Sequence, residues 1–192
     1  MKEPIPPAPR GTLFLIVGPS GAGKDTVIDG AKAALAGDPR YLFPRRVVTR
    51  PPGTGEDHLP MTVADFEAAE ARGAFALAWG AHGLHYGIPR AIDDALAQGR
   101  HVIANVSRAV IAEARQRYRP LRIVEVWAPI EVLAERLARR GRENAAEIAE
   151  RLKRSGAIPV EGADVARIET TGTIEESVGA LLAVLNSAAG KA

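Results

Sequence analysis

The chain has 192 residues, 46% of them hydrophobic and 25% charged, which suits one globular domain with a sizeable core. Cys is absent, which excludes disulfides and thiolate metal sites, and the longest apolar runs are too short to cross a bilayer. A formal charge of +2 is too small to argue for nucleic acid or a membrane surface as partner, although a pI near 9.1 leaves room for a local basic site.

Residues 1–10, MKEPIPPAPR, are proline-rich and carry no apolar signal core, so they read as a disordered lead-in to a cytoplasmic protein. The remainder, 11–192, reads as a single domain. TLFLIV at 12–17 is a continuous apolar run closed by Gly18, the pattern of a strand buried on both faces. From Lys24 the chain turns helical: Val27, Ile28, Ala31 and Leu35 fall at helical spacing, and Gly37-Asp38-Pro39 stops the helix.

Between that strand and helix lies GPSGAGKDT, residues 18–26. It nearly matches the phosphate-cradling pattern G-x-x-x-x-G-K-[ST]: Gly18, Gly23 and Lys24 are in register, with Pro19, Ser20, Gly21 and Ala22 between them. A strand, a glycine loop and a helix in that order make the match strong, and an ordinary glycine-rich turn leaves Lys24 unexplained. The pattern next requires a hydroxyl for the Mg²⁺ that accompanies ATP, but Asp25 stands there and Thr26 comes one place late. One residue turns a helix face by roughly 100°, so Thr26 does not take over the position. Three readings of Asp25 compete: a helix-start acid favoured by the dipole, a direct Mg²⁺ ligand, or an orienter of a metal-bound water.

RRVVTR at 45–50 reads as a second strand, PPGTGEDHLP at 51–60 as a loop, and MTVADFEAAEARG as a short helix. Residues 74–89, AFALAWGAHGLHYGIP, read as strands and turns of a small inserted region. Helices at RAIDDALAQGR and RAVIAEARQRY alternate with strands at HVIANV and LRIVEVWAP. A helix–break–helix unit follows, interrupted near Gly141, and then a last strand, VARIET, and a last helix. Alternating strands and helices imply a mostly parallel sheet with helices on both faces, a three-layer α/β/α architecture. Asn105, at the end of HVIANV, occupies the place where phosphate-loop enzymes usually carry a metal-orienting acid. The hypothesis is an exchange, with the acid moved to the loop and the neutral partner to the strand.

Arg136, Arg139, Arg140 and Arg142 surround the break near Gly141, and Arg151 lies further on. As isolated helices these would be solvated, salt-bridge-laced surfaces. Beside a phosphate loop they read as a lid, about 136–155, because phosphoryl transfer needs charge neutralised and water expelled.

With GPSGAGK, VTRPPGTGE, HGLHYG and RLARRGRE in order, the chain resembles the guanylate-kinase branch of the nucleoside monophosphate kinases over nearly its whole length after the lead-in. The resemblance implies an acceptor-binding region at about 45–100. It implies that Lys24 holds the donor's phosphates, with residues 18–26 and Arg136 on the nucleotide side. Arg50 and Tyr86 would grip the acceptor's phosphate, with His85 and Arg142 nearby, and Arg140 and Arg151 would stabilise the transferring group. His85 reads equally well as a loop histidine without a role.

The base-reading positions depart from that branch. Its second acceptor arginine is Gly53 here, its guanine-binding glutamate Ala78, and its strand-end aspartate Ser107. Losing buried polar partners forfeits base discrimination. GPSGAGKDT, NVSRA and GRENAAEIAERL resemble more closely the ribose 1,5-bisphosphate phosphokinases of phosphonate catabolism. That resemblance implies transfer of the γ-phosphoryl of ATP, with Mg²⁺, onto the 1-phosphate of a phosphorylated sugar, giving 5-phosphoribosyl diphosphate. A homodimer is left open. The rival readings are a guanylate kinase with unusual base recognition, a kinase of another small metabolite, and a non-catalytic binding module.

Overall fold

The computed structural model describes residues 10–53, 57–140 and 160–189, without the side chains of Arg140, Ala188 and Ala189. Strand β1 (Leu13–Val17) is buried at every position, as its unbroken apolar run requires. It lies in the middle of a five-stranded sheet of order β2-β7-β1-β8-β9, whose other members are β2 (Tyr41–Leu42), β7 (His101–Asn105), β8 (Leu121–Trp127) and β9 (Val165–Glu169). All four pairings are parallel.

Strand alternation sends Phe14 and Ile16 to one face and Leu13, Leu15 and Val17 to the other. The first face is covered by α1 (Lys24–Ala34), α5 (Ile130–Arg140) and α6 (Ile174–Ala189), through Val27, Ala31, Leu133, Leu181 and Leu185. The second is covered by α3 (Ile92–Ala97) and α4 (Ile111–Arg117), through Ile92, Leu96, Ile111 and Ala114. The three-layer architecture expected from the alternation is therefore present.

Between β2 and β7 the chain builds a second sheet of order β4-β3-β6-β5, comprising β3 (Val47–Val48), β4 (Leu59–Pro60), β5 (Phe75–Ala81) and β6 (Leu84–Pro89). One face packs on α2 (Val63–Ala71): Phe66 stacks on Phe75 at 4.5 Å, and Val47 and Ala69 complete the cluster. Thr62 starts that helix by accepting a bond from the Asp65 amide at 3.1 Å. The other face contributes Leu77 and Ile88 to the main core.

Three expectations change. The 51–60 loop ends in strand β4, which tolerates Pro60 because it lies at the sheet edge. Strand β2, only two residues long, is too short to give a local sequence signal. The helix read over RAVIAEARQRY begins as a 3₁₀ turn, Arg108–Val110, capped by the Ser107 hydroxyl.

His101 has a structural use. Its Nδ1 accepts a bond from the Thr12 amide at 3.0 Å, and its ring meets those of Tyr41 at 5.4 Å and Phe14 at 6.1 Å. Burial, and then the charge of Arg40, pushes its pKa below the ordinary value. Below that ordinary value the unfolded chain binds a proton that the folded chain resists, so this histidine's contribution makes stability fall as pH drops through about 6.5. The slope it adds is at most about 1.4 kcal/mol per pH unit. His101→Asn, which keeps an acceptor for Thr12, is expected to flatten the acid side of a urea-denaturation stability profile between pH 7 and 5. An unchanged slope would assign the acid sensitivity elsewhere.

Candidate phosphoryl-transfer site

The loop between β1 and α1 folds as its glycines require. Gly18 adopts φ 145°, and a Cβ there would sit 2.0 Å from the Val126 carbonyl oxygen. Gly23 caps α1 in the left-handed region at φ 83°, with open space around a hypothetical Cβ, so conformation rather than crowding selects glycine. Lys24 folds back into the loop, its Nζ donating to the carbonyls of Gly18 and Pro19 at 2.8 Å each. The ammonium is thus held in the cradle formed by residues 18–23.

The first turn of α1 parts two neighbouring side chains. Thr26 lines a cavity of about 310 Å³ together with Gly21, Gly23, Arg136, Thr173 and Ile174. Arg136 braces that side: its Nη1 donates to Thr170 Oγ1 at 3.0 Å and to the Gly21 carbonyl at 3.4 Å, and its Nη2 to the Thr170 carbonyl. The Thr170 hydroxyl in turn donates to the Ala22 carbonyl at 2.9 Å. Arg136 and Thr170 therefore fix the loop from the side of α5 and the end of β9.

Asp25 faces the other way, into a cavity of about 130 Å³ whose lining includes Asp29, Lys32, Arg45, Arg46 and Asn105. Asn105 Nδ2 donates to Asp25 Oδ1 at 2.7 Å, across 80 residues of chain. The contact forms because β7 lies beside β1, with Asn105 paired to Ile16 just before the loop. The carboxylate and the amide together offer hard oxygen donors, the set that Mg²⁺ takes. Among the described residues no cluster of three His, Cys, Asp or Glu side chains could hold a metal by itself. Asp29, one turn beyond Asp25, has its pKa pushed up by partial burial and then by the Asp25 charge.

On the second sheet, Tyr86 lies opposite Trp79, and their rings stack at 5.4 Å and 5°. The Arg46 guanidinium covers the Tyr86 ring at 5.8 Å. Arg50 donates from Nη1 to the Pro51 carbonyl at 3.1 Å, and buried His58 contacts the Arg50 carbonyl through Nε2 at 3.0 Å. Asp57, whose carboxyl is held below the usual range first by the Lys32 hydrogen bond and also by Arg45, reaches Lys32 at 3.2 Å and Arg45 at 2.6 Å.

One sequence expectation is corrected. His85 does not share the Tyr86 side: alternation turns it to the opposite face, where its ring meets Phe66 at 5.4 Å and its amide donates to Thr49 Oγ1. Ala78 likewise faces α2, packed on the Phe66 cluster, and the residue facing inward opposite Tyr86 is Trp79. The side chain of Arg140, and Arg142 and Arg151 entirely, lie outside the described residues. Arg46, Lys32, His58, Trp79 and Thr170 were not singled out from sequence; only the basic pair beside VVTR hinted at Arg46.

A parallel sheet with a glycine loop after its first strand, Lys24 in the cradle and a second sheet facing it defines a phosphate-loop kinase of the guanylate-kinase fold. The guanylate kinase of Anaplasma phagocytophilum superposes with a TM-score of 0.68, covering 93% of this chain and 86% of its own, at 17% identity. No family model matches the chain. It is, however, 49% identical over 177 residues to the ribose 1,5-bisphosphate phosphokinase PhnN of Methylobacterium radiotolerans, covering 92% of this chain and 98% of that one. It is 53% identical over 161 residues to the protein of the same name from Acidiphilium cryptum, covering 84% and 86%. The chain belongs to the ribose 1,5-bisphosphate phosphokinase family.

Proposed function

We propose that this kinase moves the γ-phosphoryl group of ATP onto the 1-phosphate of ribose 1,5-bisphosphate, releasing ADP and 5-phosphoribosyl 1-diphosphate. The observation that carries the reading is the acceptor cavity: it opens on Asp25 and is lined by the three cations Lys32, Arg45 and Arg46. The names of the curated relatives supply the identity of the sugar.

An oxygen of the acceptor's 1-phosphate forms the new bond to the γ-phosphorus as the bond to ADP's oxygen breaks. A phosphate monoester has its second pKa near ~6 and is largely dianionic at pH 7, so this nucleophile needs no general base. The chain's task is positioning and charge neutralisation. Lys24 holds the donor's terminal phosphates, Arg136 and Thr170 fix the loop beneath them, and Arg50 and Tyr86 are assigned to the phosphate-bearing acceptor. Arg140, Arg142 and Arg151 are assigned to lid closure. Asp25 and Asn105 would hold the Mg²⁺ that accompanies ATP, which would supply positive charge to offset that of the donor's phosphates. The Trp79–Tyr86 stack fills the side where a planar base would need polar partners. With ATP as its co-substrate, the kinase is assigned to the cytoplasm.

With Mg²⁺-ATP, purified protein is expected to turn over ribose 1,5-bisphosphate with a kcat/KM at least about 10²-fold above that for GMP, the scale on which a site rejects a ligand it has no polar groups to pair. Comparable values for the two acceptors would overturn the assignment.

A further inference from the structure

The acceptor of the proposed reaction carries two phosphates, and only one of them reacts. We infer that the second, unreacting phosphate is recognised by Arg46, flanked by Lys32 and Arg45, and that this cluster selects a bisphosphate over a monophosphate. The inference rests on the acceptor reading above.

The cavity follows α1. Asp25, Asp29 and Lys32 all line it, and at about 1.5 Å rise per residue Lys32 stands roughly 10 Å along the helix from Asp25. One end therefore belongs to the metal and the reacting phosphate, and the other is cationic. A furanose phosphorylated at C1 and C5 carries its phosphates at opposite ends of the ring, so a sugar laid along α1 brings its C5 phosphate toward the cationic end. Asp29, between the ends, is placed to accept bonds from ring hydroxyls.

The three cations are not equivalent. Lys32 and Arg45 share Asp57, whose side chain is 56% exposed. Exposed ion pairs of this kind contribute little, so a phosphate dianion can replace the Asp57 carboxylate at small cost. Arg46 makes no ion pair among the described residues; it is half-buried, with its guanidinium over the Tyr86 ring. This cation–π contact anchors the guanidinium, whose planar fork can bind two phosphate oxygens at once. A neutral sugar end or a base would leave this cluster without a use.

The test compares ribose 1,5-bisphosphate with ribose 1-phosphate in the wild type and in Arg46→Gln. The wild type is expected to favour the bisphosphate, and the variant to lose about 10- to 100-fold of that preference, the scale of hydrogen bonds to a charged group. Most of the loss should fall on KM. Lys32→Met, on the exposed side of the same cluster, should lose a smaller part and serves as the second variant if Arg46→Gln folds poorly. If both acceptors weaken equally in both variants, the cluster holds the reacting phosphate or the fold, and the inference is wrong. If the wild type turns over neither sugar phosphate, the acceptor reading itself has failed and takes this inference with it.

Discussion

Lys24→Ala is expected to lower kcat by about 10²- to 10³-fold, the loss associated with removing one preorganised donor aimed at developing charge. The geometry explains why so much rests on one side chain. Two carbonyls, those of Gly18 and Pro19, hold the ammonium at 2.8 Å each inside the loop, so its position is fixed before the nucleotide arrives. A donor that needs no reorientation contributes its full electrostatic effect as negative charge shifts between the bridging and transferring oxygens. The same bonds brace the loop, and a loss of bracing alone must be separated from a loss of catalysis. Thermal unfolding and ATP affinity of the variant separate them: a catalytic role predicts a Tm within a few degrees of wild type alongside the kcat loss. Lys24→Arg should not rescue, because a planar fork cannot replace a compact ammonium between two convergent carbonyls. A kcat within tenfold of wild type would reduce Lys24 to a loop brace.

The parts of this site differ in how far they could be read from the chain. Strand β1 and the middle of β7 announce themselves because a strand buried on both faces must be apolar there, and the glycine loop because its backbone needs residues without a Cβ. Short edge elements gave no such signal: β2 has two residues, and β4 contains Pro60, which reads as a turn. Strand β5 shifts register between Phe75 and Leu77, so strict alternation does not run through it, and the pairing of Trp79 with Tyr86 follows from the sheet rather than from any local pattern. His58 was hidden differently, since a loop of polar residues does not reveal that one of them is 1% exposed and pins Arg50. The acceptor side depends on contacts between α1 and the segment before β3, and these follow from tertiary packing rather than any local pattern.

Asp25 and Asn105 show the opposite case, a long-range pair anticipated from chemistry. A carboxylate beside a triphosphate is unfavourable unless a cation lies between them, and Asn105 Nδ2 meets Asp25 Oδ1 at 2.7 Å. We propose that the two side chains share the metal, having exchanged the usual loop hydroxyl and strand acid, so that one carboxylate remains in either arrangement. Asp25→Ser should remove that carboxylate and raise the Mg²⁺ concentration needed for half-maximal rate. Asn105→Asp should place two carboxylates in contact, where like charges disfavour full ionisation of both. It should therefore lower the Tm without Mg²⁺ and recover part of it when Mg²⁺ is added. The double variant restores one neutral hydroxyl and one acid, and should be more active than the product of the single losses predicts. A coupling of about 0.5–3 kcal/mol is the range for residues in one network. The metal-free Tm values give a second cycle that is independent of turnover. Additive losses in both cycles would mean that Asp25 and Asn105 touch without sharing a cation, and that Asp25 is only the acid that begins α1.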